Sequence, residues 1–311
     1  MHFGTGIEIV SIGIEMKQIA MILLLVTGLA SAGVYRDAGA GLYPFLKMDT
    51  GARSASLGGT DAVNGDLLSI FANPAMIAGS SPGVSAGHNQ WYGTTTQNFL
   101  AGTAVLSDRF TGSLGFRAVS TTDLEYREFP SSDPADMFDA YDFSAVVAAA
   151  AEMGKFDAGI GFKYIHEKIW LESSNGWAVD LGVAYHPAAS LVLTAAYLHS
   201  GPMVVMDEDE FRMPRTWLLA SKWNLSLPFG TASLSGQVER PLDNQAVAGF
   251  GVEYRPVQWA ALRGGWKTGD DSSDLTAGAG LSASHWMLDY AFVPGNYALG
   301  DSHRVTLSRA L

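Results

Sequence analysis

The sequence of 311 residues contains no cysteine. This absence excludes disulfide bonds, thiolate metal ligands and thiol nucleophiles, and it suits a chain that crosses an oxidising compartment before it folds. Charged residues are also few, at 16% of the chain, whereas a soluble domain has roughly a quarter. Basic residues are fewer than acidic ones, since the formal net charge is -12. Such a chain lacks the basic surface that phosphate binding requires, which excludes a nucleic-acid partner.

Apolar runs long enough to form a membrane-spanning helix are absent as well. The most apolar segment, QIAMILLLVTGLASA at 18–32, has an apolar run of roughly a dozen residues, shorter than the about 20 that a bilayer requires. It follows Lys17 and ends in A-S-A, the pattern of a secretory signal peptide cleaved after Ala32. Residues 1–15 lie upstream of this pattern, so we predict that translation starts at Met16. The sequence therefore predicts an exported protein.

After residue 83 the sequence alternates as β-strands do. In NGWAVDLGVAYHP, at 175–187, the large residues Trp177 and Leu181 alternate with Ala178 and Asp180. The same alternation recurs along the chain and predicts about fourteen strands. They lie near 84–92, 96–107, 110–123, 139–153, 156–171, 176–186, 190–200, 214–224, 228–240, 245–256, 257–268, 273–283, 284–294 and 302–311.

Two architectures fit this alternation. A soluble sandwich or barrel turns its apolar face inward, whereas a transmembrane barrel turns it outward to lipid and keeps small and polar residues in its lumen. The signal peptide, the scarcity of lysine and glutamate on the polar face, and aromatic residues near strand ends favour the transmembrane barrel. These aromatic residues are Trp91, Tyr92, Trp170, Trp177, Trp217, Trp223, Trp259, Trp266 and Trp286.

The connections and the segment before the first strand complete the predicted organisation. Short turns at 254–259 and 282–286 are expected on the periplasmic side, and the longer polar stretches 125–139, 201–214 and 268–274 on the extracellular side. A glycine-rich, aperiodic segment precedes the strands. The predicted parts are 1–32 (upstream residues and signal peptide), 33–82 (an N-terminal plug) and 83–311 (an outer-membrane β-barrel).

The segment YPFLKMDTGARSASLGGTDAV at 43–63, with ANPAMIA at 72–78, resembles the entry segment of PorV/PorQ-type outer-membrane proteins, relatives of the FadL-like barrels. Further similarity lies at 141–150, 175–187 and 211–223 and in the last hairpin, so the resemblance covers essentially the whole mature chain. The matching positions of the entry segment are Phe45, Leu46, Gly51, Ala52, Arg53, Leu57, Gly58, Gly59, Asn73, Pro74 and Ala75. The resemblance implies a fourteen-stranded barrel in the cell outer membrane, in contact with outer-membrane lipid, whose entry segment folds into the lumen as short helical pieces.

The chemistry of this segment suits a plug. Gly58-Gly59 allows a tight turn close to the wall, Pro74 ends or kinks a helix, and Asn73 can satisfy freed backbone groups. Arg53 would be a buried cation that needs a carboxylate, and lumen-facing Asp180, Glu253 and Asp289 are the candidates. The plug motif as a whole comprises Gly51, Arg53, Gly58, Gly59, Asn73, Pro74 and Ala75. A purely structural role, closing the barrel, is the alternative for these residues.

Enzymatic and metal sites are not indicated, and we predict no cofactor. GSSPG at 79–83 matches a hydrolase elbow, but Pro82 and a strand follow Ser81 where that motif requires a helix. The histidines lack paired metal-ligand spacing, and MDEDEF at 206–211 lacks the spaced ligands and glycine of a calcium loop.

The resemblance implies a role in type IX protein secretion, in which the barrel accepts or hands over secreted proteins at the cell surface. Its partners would be a large translocon barrel and secreted proteins with a C-terminal sorting domain. The alternatives are a FadL-like transporter of hydrophobic small molecules and a structural barrel without transport. A continuous apolar path in the lumen favours transport, whereas a polar, plugged lumen favours secretion. One departure from outer-membrane barrels generally is the non-aromatic end, Arg309-Ala310-Leu311.

Overall fold

The computed structural model describes residues 41–130 and 132–311. The predicted upstream residues and signal peptide, at 1–32, and the first part of the predicted plug, at 33–40, lie outside the described residues.

Fourteen strands of the described residues form one closed antiparallel barrel, and the predicted fold class is confirmed. The strands are β1 (Gly83–Gln90), β2 (Thr95–Ser107), β3 (Phe110–Tyr126), β4 (Asp136–Met153), β5 (Phe156–Ile169), β6 (Glu172–Ala188), β7 (Leu191–Ser200), β10 (Thr216–Leu227), β11 (Gly230–Pro241), β12 (Val247–Val257), β13 (Ala260–Thr268), β14 (Leu275–Ala283), β15 (Trp286–Pro294) and β16 (Asp301–Ala310). Each strand pairs with its sequence neighbour, and β1 also pairs with β16 to close the barrel. Two further strands, β8 (Val204–Met206) and β9 (Asp209–Phe211), form a separate hairpin between β7 and β10. This hairpin lies in the stretch 201–214, which the sequence predicts as a longer polar connection between two strands.

The alternation of side chains sets the two faces of the barrel. On β6, Trp177 and Leu181 are 48% and 50% exposed on the outside, whereas Ala178 and Asp180 are fully buried inside. Because strand side chains point to opposite faces in turn, the apolar set faces lipid and the small or polar set faces the lumen. Two of the predicted interfacial tryptophans depart from this arrangement: Trp223 is buried, and the ring of Trp91 lies against the guanidinium of Arg304.

The two ends of the barrel differ in their connections. At one end, here called the turn end, strands are joined by two residues at 108–109, 154–155, 189–190, 228–229, 258–259 and 284–285. At the other, the loop end, the connections are 91–94, 127–135, 170–171, 201–215, 242–246, 269–274 and 295–300.

The strands β3 to β6 have 14 to 18 residues, whereas β13 to β15 have 9 residues each. The wall is therefore taller on one side than on the other.

Residues 41–82 fill the lumen as a plug that runs from the loop end to the turn end. Gly41 bridges Arg212 at the loop end, and the plug leads into β1 at the turn end. Its short helices are α1 (Ala52–Ser56) and the 3-10 helices Pro44–Lys47, Asp61–Val63, Leu67–Phe71 and Pro74–Ile77. Glycines with positive φ separate most of these pieces, so none grows long. No helix in residues 41–130 and 132–311 is long and apolar enough to cross a membrane.

Gly58 brings the plug backbone against the backbone of the wall. It has φ +69, and an added Cβ would lie 2.6 Å from the carbonyl oxygen of Phe250 and 2.7 Å from that of Trp266. The wall also has glycines here, and a Cβ at Gly249 or Gly265 would clash with the backbone of Gly58. Only glycine on both sides permits this approach.

We expect Gly58→Ala to destabilise the folded protein by about 2 kcal/mol or more, because the substitution adds left-handed backbone strain to a clash with strand carbonyls. The measurement is the urea concentration at which half of the protein unfolds in detergent, with the folded and unfolded forms distinguished by their mobility in a gel. Gly264→Ala on the lipid-facing side of β13 is the matched control, since an added Cβ there meets no atom within 4 Å. Equal stability of the two variants would contradict the close approach.

Candidate functional site

Arg53 connects the plug to the wall through Glu253. Its Nε donates to Glu253 Oε2 and its Nη2 to Glu253 Oε1, both at 3.2 Å. Asp66, in the plug itself, lies 3.7 Å from Nη1. Glu253 is therefore the one of the three predicted carboxylates that pairs with Arg53.

Asp289 belongs instead to a fully buried arginine of the wall, Arg263. Arg263 donates from Nε to Glu253 Oε2 at 2.6 Å and from Nη1 to Asp289 Oδ1 at 2.7 Å. Arg53, Glu253, Arg263 and Asp289 thus form one chain of alternating charges from the plug into the wall. In a water-poor interior each of these charges depends on its neighbours.

Asp180, the third candidate, does not contact Arg53. It forms an ion pair with Lys163 Nζ at 2.7 Å and accepts a hydrogen bond from the backbone N–H of His199 at 2.8 Å. His199 has φ +59, and the β6–β7 register shifts at this point. The carboxylate therefore satisfies a donor that the bulge removes from the strand ladder. Lys163 also donates to His199 Nδ1 at 3.2 Å.

A second plug–wall cluster has Asp49 at its centre. Lys267 Nζ lies 2.6 Å and Arg304 Nη1 3.6 Å from Asp49 Oδ2. The wall thus presents two cations to one plug carboxylate. Nearer the loop end, Lys47 pairs with Asp243 at 2.8 Å. Sequence reasoning missed both clusters, although lysines and arginines at lumen-facing positions of predicted strands were available as a signal.

Arg117 is a buried cation whose hydrogen bonds go to a carbonyl and a hydroxyl oxygen and not to a carboxylate. It is 1% exposed, and Nη1 donates to the carbonyl oxygen of Met48 and to Thr50 Oγ1, each at 3.2 Å. Nε and Nη2 have no partner in the described residues. The guanidinium lies 5.3 Å and 5.6 Å from the ring centroids of Phe45 and Phe71. Cation–π contacts therefore replace a carboxylate here.

The remaining plug-motif residues act as connectors. Asn73 Oδ1 accepts from the backbone N–H of Ala75 at 3.0 Å and so caps the 3-10 helix that Pro74 begins. This turn lies directly on Gly159 and Gly182 of the wall, where a Cβ would clash with it. Gly51, at φ +91, precedes α1, and Gly59, at φ +77, lies beside Lys267 and Asp49.

Apolar side chains collect inside the barrel near the loop end, in what we call the loop-end cluster. Its members are Leu42, Tyr43, Phe45, Leu46, Val119, Ile165, Ala178, Val204 and Met213, with Met48, Met206 and Phe211 packed against them. They come from the start of the plug, the tall side of the wall and the 201–215 connection. Tyr43 is fixed by polar contacts, since its N–H donates to Glu167 Oε2 at 3.0 Å and its hydroxyl lies 2.9 Å from Ser174 Oγ.

Two observations concern metal-ligating and nucleophilic side chains. In the part of the chain that the structure describes, no group of three His, Asp or Glu side chains could hold a metal ion. Ser81 of GSSPG lies in the coil between the last plug helix and β1, without the strand-to-helix elbow of a hydrolase.

No protein-family model and no curated protein matches the chain. Among solved structures, the toluene transporter TodX of Pseudomonas putida superposes with a TM-score of 0.61 at 13% identity, covering 85% of this chain and 99% of TodX. The toluene transporter TbuX of Ralstonia pickettii gives 0.60 at 13% identity, with 84% and 97% covered. A FadL homologue of Pseudomonas aeruginosa gives 0.56 at 10% identity, with 85% and 98% covered. At these identities the likeness shows the fold, which is that of FadL-like barrels, and it does not extend to the PorV/PorQ type specifically.

We expect Arg263→Met to destabilise the barrel by about 3–5 kcal/mol, because it leaves the carboxylates of Glu253 and Asp289 buried without their main partner. Arg53→Met should cost less, since Glu253 keeps Arg263 and also accepts from Arg255 at 3.0 Å. The urea midpoint of unfolding in detergent measures both variants. A larger loss in Arg53→Met than in Arg263→Met would contradict the assigned network.

Proposed function

We propose that the protein is an outer-membrane transporter of small hydrophobic molecules. The observation that carries this proposal is the loop-end cluster, an apolar region inside the barrel that joins the start of the plug, the wall and the 201–215 connection. A second apolar cluster in the lumen surrounds Ile70, Phe71 and Ile77 of the plug. An apolar ligand binds where apolar side chains surround it and a few polar groups fix its position. Glu167, Ser174 and Arg117 at the border of the cluster are such polar groups.

The plug occupies this region in the closed protein. Phe45 and Leu46, both buried, lie where an apolar ligand would lie. A ligand would therefore enter as the 3-10 helix Pro44–Lys47 moves out, and the two would compete for the same apolar surface. The methionines of the cluster can repack around ligands of different shape, because their side chains are unbranched and flexible.

The likeness to solved structures supports the proposal at the level of fold. TodX and TbuX are described as toluene transporters, and this chain shares their barrel over more than 80% of its length. The likeness also supports an outer-membrane location. Small monoaromatic hydrocarbons are therefore the first substrates to test, and no enzymatic step is needed.

A reversible disulfide tests whether the plug must move. An added Cβ at Gly41 would lie 3.4 Å from Asp243 Cγ, which places the two side chains at disulfide distance. Because the chain has no cysteine of its own, Gly41→Cys with Asp243→Cys forms a single defined link. We expect the entry of the apolar dye 1-N-phenylnaphthylamine into Gram-negative cells to be fast with the reduced variant and slow with the oxidised one.

The reduced variant is its own control, since oxidation changes only the link. Cells that contain the wild-type protein should also take up the dye faster than cells that lack this protein. Dye entry equal to that of cells without the protein would overturn the transport function. Equal entry into cells with the oxidised and reduced variants would overturn the movement of the plug.

Secretion of the PorV/PorQ type is the second candidate, and two observations favour it. The plug closes the lumen, and the loop end exposes apolar side chains: Phe129 is 72%, Leu171 75% and Tyr297 83% exposed. Such residues on connections can bind a protein partner. Purification from the native outer membrane in mild detergent distinguishes the candidates. A very large translocon barrel with secreted proteins that share a C-terminal domain would support secretion, whereas bound hydrocarbons without a protein partner would support transport.

A further inference from the structure

A cavity at the turn end lies between the plug and the strands β10, β11 and β12. It holds about 320 Å³, and Arg53 lines it from the side of the plug. The wall contributes residues near the turns at 228–229 and 258–259, which follow β10 and β12. Cavities that bind small molecules have volumes of roughly 300–1,000 Å³. This one, which we call the turn-end cavity, is therefore large enough for a small ligand.

The register of the three strands arranges the polar wall residues of the cavity in two adjacent rows. The first row is Asn224, Ser233 and Glu253, and the second, nearer the turns, is Ser226, Thr231 and Arg255. Directly opposed side chains on antiparallel strands have Cβ atoms about 4.5–5.5 Å apart. Groups of one row and its neighbour are therefore close enough to contact the same small molecule.

Glu253 is the carboxylate of this lining, and arginines already occupy its acceptor sites. Its Oε1 accepts from Arg53 and Arg255, and its Oε2 accepts from Arg53 and Arg263. A carboxylate has about four acceptor positions, so these four hydrogen bonds saturate it. Glu253 therefore has no acceptor position left for a further cation.

Lys222 is a cation of the lining that has no such partner. It occupies the inward-facing position of β10 next to Asn224, and its ammonium group makes no hydrogen bond or ion pair with the described residues. The charges around it do not balance. The cations are Arg53, Lys222, Arg255 and Arg263, and the carboxylates are Asp66, Glu253 and Asp289. One positive charge is therefore in excess.

Arg255 and the uncharged polar residues offer further groups that the protein does not use. Within the described residues Arg255 donates from Nε alone, to Glu253 Oε1 at 3.0 Å. Its two Nη groups remain available, and N–H groups of a guanidinium bind carboxylates strongly. The uncharged polar side chains also lack a hydrogen-bond partner in residues 41–130 and 132–311, namely Asn224, Ser226, Thr231 and Ser233.

We propose that the turn-end cavity binds a small hydroxylated carboxylate of one negative charge, the chemistry of a sugar acid. Its carboxylate contacts Lys222 and Arg255 and neutralises the excess positive charge. Its hydroxyl groups bond to the serine, threonine and asparagine side chains of the two rows. A neutral polyol would leave Lys222 unpaired, and an apolar molecule would leave the polar lining without partners.

The plug takes part in this site, because Arg53 completes the lining opposite the wall. The ligand therefore binds the docked plug better than a displaced one, and it stabilises the docked state by mass action. The cavity is separate from the loop-end cluster, with which it shares no residue.

Isothermal titration calorimetry of the full mature chain in nonionic detergent tests the proposal. Gluconate is the probe, and glucose, chloride and inorganic phosphate are the comparisons. The titrations are run at about 20 mM ionic strength, where screening of charges is weak. We expect gluconate to bind with one-to-one stoichiometry, and we expect glucose, chloride and phosphate to bind at least tenfold more weakly.

Matched variants locate the binding. Lys222→Gln removes the unpaired charge, and we expect it to weaken gluconate binding about tenfold or more, because hydrogen bonds to charged groups contribute about 1.5–3 kcal/mol. Lys222→Arg keeps the charge and should retain most of the affinity. Lys155→Gln is the control, since it removes the same charge from an exposed turn-end residue outside the cavity. Heat-modifiable gel mobility verifies that each variant is folded.

Three results would overturn the proposal: no gluconate binding by the folded wild-type protein, binding of chloride or phosphate as strong as that of gluconate, or equal loss of affinity in Lys222→Gln and Lys155→Gln. No hydrophobic molecule enters the titrations. Their outcome is therefore independent of the transport function proposed above.

Discussion

The position of the plug depends on charges that are paired across the boundary between plug and wall. The wall presents Glu253, Lys267 and Arg304 toward the lumen, and the plug supplies Arg53 and Asp49 opposite them. Without the wall Arg53 would lose Glu253 and Asp49 would lose Lys267 and Arg304, and a buried charge without a partner costs several kcal/mol. Plug and barrel are therefore one folding unit in energetic terms, and close glycine contacts bring the two backbones within reach of these pairs.

The architecture followed from the sequence because strand periodicity is local. Alternation such as Trp177-Ala178 and Leu181-Gly182 needs no knowledge of distant residues, and every predicted strand overlaps an observed one. The partner of Arg53 could not be chosen in the same way, since Asp180, Glu253 and Asp289 all face inward and only the three-dimensional register separates them. The bulge at His199 and the β8–β9 hairpin were also missed, because bulges and loop hairpins depend on neighbours far along the chain.

The lumen contains both apolar clusters and networks of paired charges, and this limits what the barrel can do. Under the proposed transport function, an apolar molecule would gain by replacing Phe45 and Leu46, whereas in the region of Arg263 and Asp289 it would displace paired charges. Movement of the first plug helix is thus compatible with an intact network below it. Within the plug motif, Asn73 and Pro74 seat the plug on glycines of the wall.

The central claim is that the plug is docked as firmly as the strands around it, and hydrogen–deuterium exchange in detergent tests this most directly. The amides of Ala55, Leu57, Gly58 and Gly59 are bonded within the α1 turn, to the carbonyl oxygens of Gly51, Ser54 and Ala55. The account predicts that peptides containing these amides exchange as slowly as peptides from β12 and β13. Exchange as fast as that of the exposed connection at 127–135 would contradict it, because the paired charges would then not hold the plug in the lumen.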